Sequence, residues 1–145
     1  MKMRNTILIV ALLLGISLVF NAPAALAKDM TAKDLLENAK KNVTMISLED
    51  AKALFDKGGA VFLDCREPDE YKMGHIPGAI NVPRGLLEFQ ITSKVPDKNA
   101  NIVMYCKTGG RACLACQSIG EMGYKNAKDM EGGWVAWEKA GYPVE

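Results

Sequence analysis

The chain has 145 residues, 49% of them hydrophobic and 24% charged, which supplies one compact core and excludes two. Its formal net charge is +1, so no excess of Lys and Arg marks a surface for nucleic acid or anionic membrane. Four cysteines, Cys65, Cys106, Cys113 and Cys116, and a single histidine, His75, make up the thiol and imidazole inventory.

Lys2 and Arg4 precede an apolar stretch over residues 7–20, broken only by Gly15 and Ser17, and Ala25-Leu26-Ala27 follows. A basic start, an apolar middle and a small-residue exit form a secretory signal peptide over residues 1–27, cut between Ala27 and Lys28. The apolar stretch falls short of the roughly 20 residues that span a bilayer, and Pro23 interrupts its end. Cleavage leaves 16 basic and 17 acidic side chains and a periplasmic or otherwise exported protein, with no membrane attachment once the leader is gone. Such a compartment permits disulfides. Four cysteines allow three complete pairings, and spacing does not choose among them.

Residues 28–44 read as an N-terminal extension. Leu35, Leu36 and Ala39 share one face within residues 31–43, and Lys33, Asp34, Glu37, Lys40 and Lys41 surround it, the pattern of a short amphipathic helix. Ser47-Leu48-Glu49-Asp50 resembles a capping box with Asp in place of Glu; Leu48, Ala51, Leu54 and Phe55 follow at helical spacing, and Gly58-Gly59 ends the run. Ala60-Val61-Phe62-Leu63 and Ile102-Val103-Met104-Tyr105 are apolar runs without alternation, which suit strands buried on both faces. Ala79-Ile80-Asn81-Val82 and Ala127-Lys128-Asp129-Met130 are weaker strand candidates. Residues 111–122 and 133–140 read as helices stopped by Gly123 and by Gly141 with Pro143. Short strands alternating with helices over residues 45–145 imply an α/β domain whose mostly parallel sheet is covered on both sides. Ligands of such sheets bind beyond the carboxyl ends of the strands.

Two segments lie at such ends: Asp64-Cys65-Arg66, and Cys106-Lys107-Thr108-Gly109-Gly110-Arg111. In the second, consecutive glycines let the backbone turn so that successive N–H groups point inward as an anion-binding nest. A thiolate at its mouth gains from the following helix N-terminus and from Lys107 and Arg111, which lowers a cysteine pKa from ~8.5 toward ~6. Cys106 is therefore the candidate nucleophile. Lys107, Thr108, Gly109, Gly110 and Arg111 are the candidate anion-binding residues.

Four motifs occur together and in order: Asp64-Cys65-Arg66-Glu67-Pro68-Asp69-Glu70-Tyr71; Gly74-His75-Ile76-Pro77-Gly78-Ala79-Ile80-Asn81-Val82-Pro83; Cys106-x-x-Gly109-x-Arg111; and Glu131-Gly132-Gly133-Trp134-x-x-Trp137 with Gly141-Tyr142-Pro143. This set resembles the single-domain rhodaneses over roughly residues 46–144. The resemblance implies a three-layer α/β domain with a central, mostly parallel sheet of about five strands. It also implies a ping-pong reaction in which sulfane sulfur passes through a persulfide on the loop cysteine. The donor would be a small sulfur-containing anion such as thiosulfate, and the acceptor a thiol, another thiophile or a protein; no cofactor and no metal are expected.

The remaining polar residues read as support. In Gly74-His75-Ile76-Pro77-Gly78 the histidine belongs to a structural turn, because the sulfur chemistry has no proton for a base to take. Asp64 and Arg66 suit an internal ion pair bracing neighbouring loops. Cys113 and Cys116 share one helical face with Ala112 and Ala115, which fits close packing on the sheet. A zinc site built on that pair needs two further ligands, from a remainder of Cys65, Cys106 and His75. Cys65 is either a small hydrophobe in the sheet or a disulfide partner of Cys106, and strand period does not decide.

Three rival functions follow from the same residues. A phosphatase of this fold carries five residues between its loop cysteine and arginine, whereas four separate Cys106 from Arg111 here. A non-catalytic binding module would have no need of Cys106, whereas a thiol that only carries sulfur for a partner has the same sequence as an enzyme's. A thiol-disulfide oxidoreductase would use Cys113 and Cys116, yet such enzymes place their first cysteine at the helix N-terminus, and Cys113 lies inside the helix.

Overall fold

The computed structural model describes residues 29–145. The expected leader, residues 1–27, lies outside the described residues. Helix α1 (Ala32–Lys40) begins at a capping box in which Thr31 Oγ1 accepts from Asp34 N and the Asp34 carboxylate accepts from Thr31 N. Strand β1 (Thr44–Ile46) and α2 (Leu48–Lys57) follow, and Ser47 caps α2 by accepting from Asp50 N at 3.1 Å. Then come β2 (Val61–Asp64), α3 (Pro68–Lys72), β3 (Ile80–Asn81), a 3-10 turn (Arg84–Leu86) leading into α4 (Leu87–Lys94), β4 (Ile102–Tyr105), α5 (Gly110–Glu121), β5 (Ala127–Met130) and α6 (Gly133–Lys139).

The five strands form one sheet in the order β1-β5-β4-β2-β3, and every pairing is parallel. Strand β4 is central and wholly buried, as its unbroken apolar run predicts. Its residues alternate between two cores. Ile102 and Met104 join Leu63, Leu87, Ile91, Ala112 and Ile119 on the α4–α5 side. Val103 and Tyr105 join Phe62, Ala51, Trp134 and Trp137 on the α2–α6 side. The domain is thus helix, sheet, helix. An aromatic cluster closes the second layer, with Phe55, Phe62 and Tyr142 set edge-on around Trp137 and ring centroids 5.1–5.9 Å apart.

Three elements carry weaker sequence signals than their place in the fold would suggest. Strand β1, only three residues long, has no apolar run; pairing with β5 through Thr44↔Lys128 and Met45↔Asp129 makes it a strand. Helices α3 and α4 are short, and burial of Leu87 and Ile91 holds α4 in place. The boundary expected at residues 44 and 45 falls within β1, and α1 packs on α5.

Candidate active site

Cys106 directly follows β4, at the sheet centre, and α5 starts four residues later. The turn between them depends on Gly109, whose φ of +104° is a left-handed conformation that side chains resist. That conformation sends Gly109 N–H inward, where it donates to Cys106 Sγ at 3.2 Å. Cys106 is buried with 1% of its surface exposed, yet its pKa is lowered to about 5. The Cys65 thiol donates to it, and backbone N–H groups of Ala112, Thr108 and Gly109 add to that, together outweighing the cost of burial. The Cys65 thiol and these N–H groups together favour the Cys106 thiolate at neutral pH.

A second glycine turn holds the loop from outside. Trp134 N donates to Cys106 O at 2.8 Å and Val135 N donates to Lys107 O at 3.1 Å. Their orphan N–H groups at the start of α6 thus point the two loop carbonyls outward. Gly133 makes the approach possible: its φ is +58°, and a Cβ there would lie 2.6 Å from Cys106 O and 2.9 Å from Lys107 O. The Glu131-Gly132-Gly133-Trp134 motif is therefore a brace for the cysteine loop.

The other expected anion contacts are placed as follows. Lys107 and Thr108 are exposed at the rim, and Gly109 and Gly110 line the turn. Arg111 is half-buried and engaged: its Nη1 and Nη2 donate to the two Glu70 carboxylate oxygens at 2.7 and 2.9 Å. This fork holds the Glu70 carboxyl down to about 2 and pushes the Arg111 guanidinium up. An incoming anion meets a guanidinium that is already partnered. Glu70 carries no role in the sequence reading, although it lies in the first motif; only the fold brings it against a residue 41 positions away.

Asp64 and Arg66 form a buried bidentate pair at 2.6–3.0 Å, and Arg66 Nη2 also donates to Gly74 O. The guanidinium lies 4.6 Å from the Trp134 ring centre. The pair therefore ties the turn after β2 to the His75 turn and to α6, a bracing position. His75 is occupied elsewhere, with Nδ1 3.0 Å from Tyr71 O, Nε2 3.1 Å from Glu145 Oε1, and its ring stacked on Tyr71. Cys113 and Cys116 are buried on α5, where desolvation pushes both thiols up, the reverse of a redox-active pair. All four cysteines are free.

Asp129 escaped the sequence reading. It is buried on β5, its carboxylate oxygens lie 3.8–4.0 Å from where a Gly109 Cβ would be, and Oδ1 has no hydrogen-bond partner. Burial, then the charge on Cys106, pushes its pKa up to about 8. Period-two alternation from Ala127 in the α4–α5 core could have placed it on the loop side.

An α/β domain whose central strand ends in a cysteine set among backbone N–H groups presents a candidate site for group transfer. The family model for the rhodanese-like domain matches residues 47–140, and the chain belongs to that family. A sulfurtransferase of Allochromatium vinosum is 32% identical over 94 residues, 65% of this chain and 86% of the relative. Thiosulfate sulfurtransferase 16, a chloroplastic protein of Arabidopsis thaliana, is 36% identical over 97 residues, 60% of this chain and 81% of the relative. A solved structure from Rhodopseudomonas palustris, described as a protein of unknown function and possible tyrosine phosphatase, is 34% identical with a TM-score of 0.73, covering 80% of this chain and 95% of the other. The protein is a sulfurtransferase of the type that carries sulfane sulfur as a cysteine persulfide.

Proposed function

We propose that Cys106 is the sulfur carrier and that thiosulfate, or a sulfur anion of similar size and charge, is the donor. The single observation that carries this reading is the Cys106 thiolate inside its ring of backbone donors. The thiolate attacks the outer sulfur of thiosulfate, the sulfur–sulfur bond breaks, and sulfite leaves with the electron pair. A thiol or another thiophile, small or part of a protein, then attacks the terminal sulfur of the persulfide and restores the thiolate. No general base is needed, because the nucleophile is already ionised and sulfite is a competent leaving group. The backbone donors and the exposed Lys107 favour anions throughout.

Phosphoryl transfer is the second reading, favoured by the description of the Rhodopseudomonas palustris structure. The shorter loop and the Glu70-bound Arg111 fork weigh against it, since a phosphatase arginine must wrap the phosphate. The signal sequence supports action outside the inner membrane. N-terminal sequencing of exported material should begin at Lys28; a chain that still starts at Met1 overturns that assignment.

The test treats wild type and Cys106→Ser with thiosulfate, maps added sulfur by peptide mass, and assays a phosphate monoester in parallel. Wild type should gain one sulfur atom on the Cys106 peptide, and the serine variant none. A serine variant that transfers sulfur at the wild-type rate, or a wild type that gains no sulfur yet hydrolyses the ester, overturns the proposal.

A further inference from the structure

Cys65 and Cys106 are neighbours across the central strand pair. Strands β2 and β4 run in parallel with Asp64 opposite Tyr105, so the next residue on each strand, Cys65 and Cys106, continues the register. The pairing persists at this point, because Cys65 N donates to Tyr105 O at 3.0 Å. Leu63, Cys65, Met104 and Cys106 all face the α4–α5 core, so both sulfurs lie on the same side of the sheet. Adjacent strands lie about 4.8 Å apart, within the Cα separation that a disulfide bridges. Each thiol shifts the other's ionisation, Cys106 down and Cys65 up, and Cys65 is completely buried. Cys65 helps to hold Cys106 as a thiolate, but transfer of the outer sulfur to an outside acceptor has no further use for a second thiol beside the inner sulfur.

We propose that Cys65 is an internal acceptor thiol that resolves the Cys106 persulfide, so that the protein releases sulfide and closes a Cys65–Cys106 disulfide. The inference rests on Cys106 being the sulfur carrier. In the persulfide the negative charge resides on the outer sulfur, and the Cys65 proton passes to it. The Cys65 sulfur then attacks Cys106 Sγ: the bond between the two cysteine sulfurs forms, the bond from Cys106 Sγ to the outer sulfur breaks, and HS⁻ leaves with the electron pair. The sulfane sulfur is reduced to sulfide and the two cysteines are oxidised to the disulfide, so the step needs no other oxidant. Two molecules of a small thiol reduce the disulfide and reset the site. The complete cycle converts thiosulfate and two thiols to sulfite, hydrogen sulfide and a thiol disulfide.

Geometry separates this route from sulfur transfer. An outside acceptor reaches the outer sulfur from the mouth of the loop, where Lys107 and Thr108 are exposed. Cys65 lies beside the inner sulfur, and attack there expels the outer atom as sulfide. One persulfide therefore has two fates, set by whether an acceptor arrives before Cys65 reacts.

The experiment is a single turnover of the reduced protein with one equivalent of thiosulfate, without oxygen or added thiol, followed by sulfite, sulfide and intact mass. Wild type should release sulfite, then sulfide, and finish lighter by two hydrogens, with Cys65 and Cys106 cross-linked in the peptide map. Cys65→Ser, which keeps a donor beside Cys106, and Cys65→Val, which should form the persulfide more slowly, both checked for folding by circular dichroism, should release sulfite, keep the added sulfur on Cys106 and lose sulfide release. A wild-type persulfide that persists without sulfide, a cross-link to Cys113 or Cys116 instead, or undiminished sulfide from both Cys65 variants overturns the proposal. Absence of both sulfite and added sulfur in wild type and variants would instead overturn the carrier role of Cys106, and this inference with it.

Discussion

Gly133 lies against the carbonyl of Cys106 so closely that a Cβ would come within 2.6 Å of the oxygen, while the next residue, Trp134, donates its N–H to that oxygen at 2.8 Å. The helix after β5 thereby sets the peptide plane of Cys106. Its partner peptides then face their N–H groups toward the sulfur.

Gly133→Ala should accordingly lose most sulfur transfer. Its left-handed backbone alone costs an alanine about 1–3 kcal/mol, and the clash displaces the loop in addition. Gly59→Ala is the control, because φ there is +84° with nothing within 4 Å of a Cβ. Thermal unfolding should report a loss in both variants, and the activity assay a loss in Gly133→Ala alone. Full activity in a folded Gly133→Ala protein would contradict the brace.

The pH dependence of Cys106 alkylation by a small iodoacetamide should follow the thiolate, flat from about pH 7 upward and half-lost near pH 5. An ordinary cysteine at ~8.5 would instead gain about tenfold per pH unit across that range. Cys65→Val removes the largest stabilising contact, so the midpoint should move up. Peptide mass assigns the modified residue, and an unshifted midpoint in that variant contradicts the thiol contact.

Asp129 should make stability fall as pH rises. Its folded pKa is raised to about 8 against 3.8 for an ordinary aspartate, so the folded state holds a proton that the unfolded chain releases. The stabilisation is fully present below about pH 4 and is lost as pH rises through about 8. Cys106 acts in the opposite direction, since its lowered pKa adds stability above about pH 5. Urea unfolding of Asp129→Asn between pH 5 and 8 should therefore rise with pH more steeply than wild type, and equal slopes would refute the assignment.

Releasing Arg111 should tighten anion binding. Glu70→Gln keeps the shape of the partner and removes its charge, so the KM for thiosulfate should fall about threefold to tenfold, an effect weakened by added salt. Arg111→Ala should raise KM and spare part of kcat, because the backbone donors persist. Glu70, with its carboxyl held at about 2, also adds stability above about pH 4.5 that is lost as pH falls toward 2. A Glu70→Gln protein with unchanged KM would mean that Arg111 does not reach the donor.

By itself, the sequence determined the class of fold and the central strands, and it marked Cys106 as the candidate nucleophile. Unbroken apolar runs mark β2 and β4, because burial on both faces leaves no polar position to alternate with. A cysteine followed by two glycines and a helix determines the nest locally, since all its donors belong to residues within six positions of Cys106. What only the tertiary structure decided depends on contacts between distant segments. β1 is a strand because β5 pairs with it, Glu70 matters because Arg111 folds against it, and Gly133 matters because α6 lands on the Cys106 loop. The orientation of Cys65 belongs with these, since a parallel register brings residues 65 and 106 side by side, and neither residue's own neighbours encode which strand lies next to it.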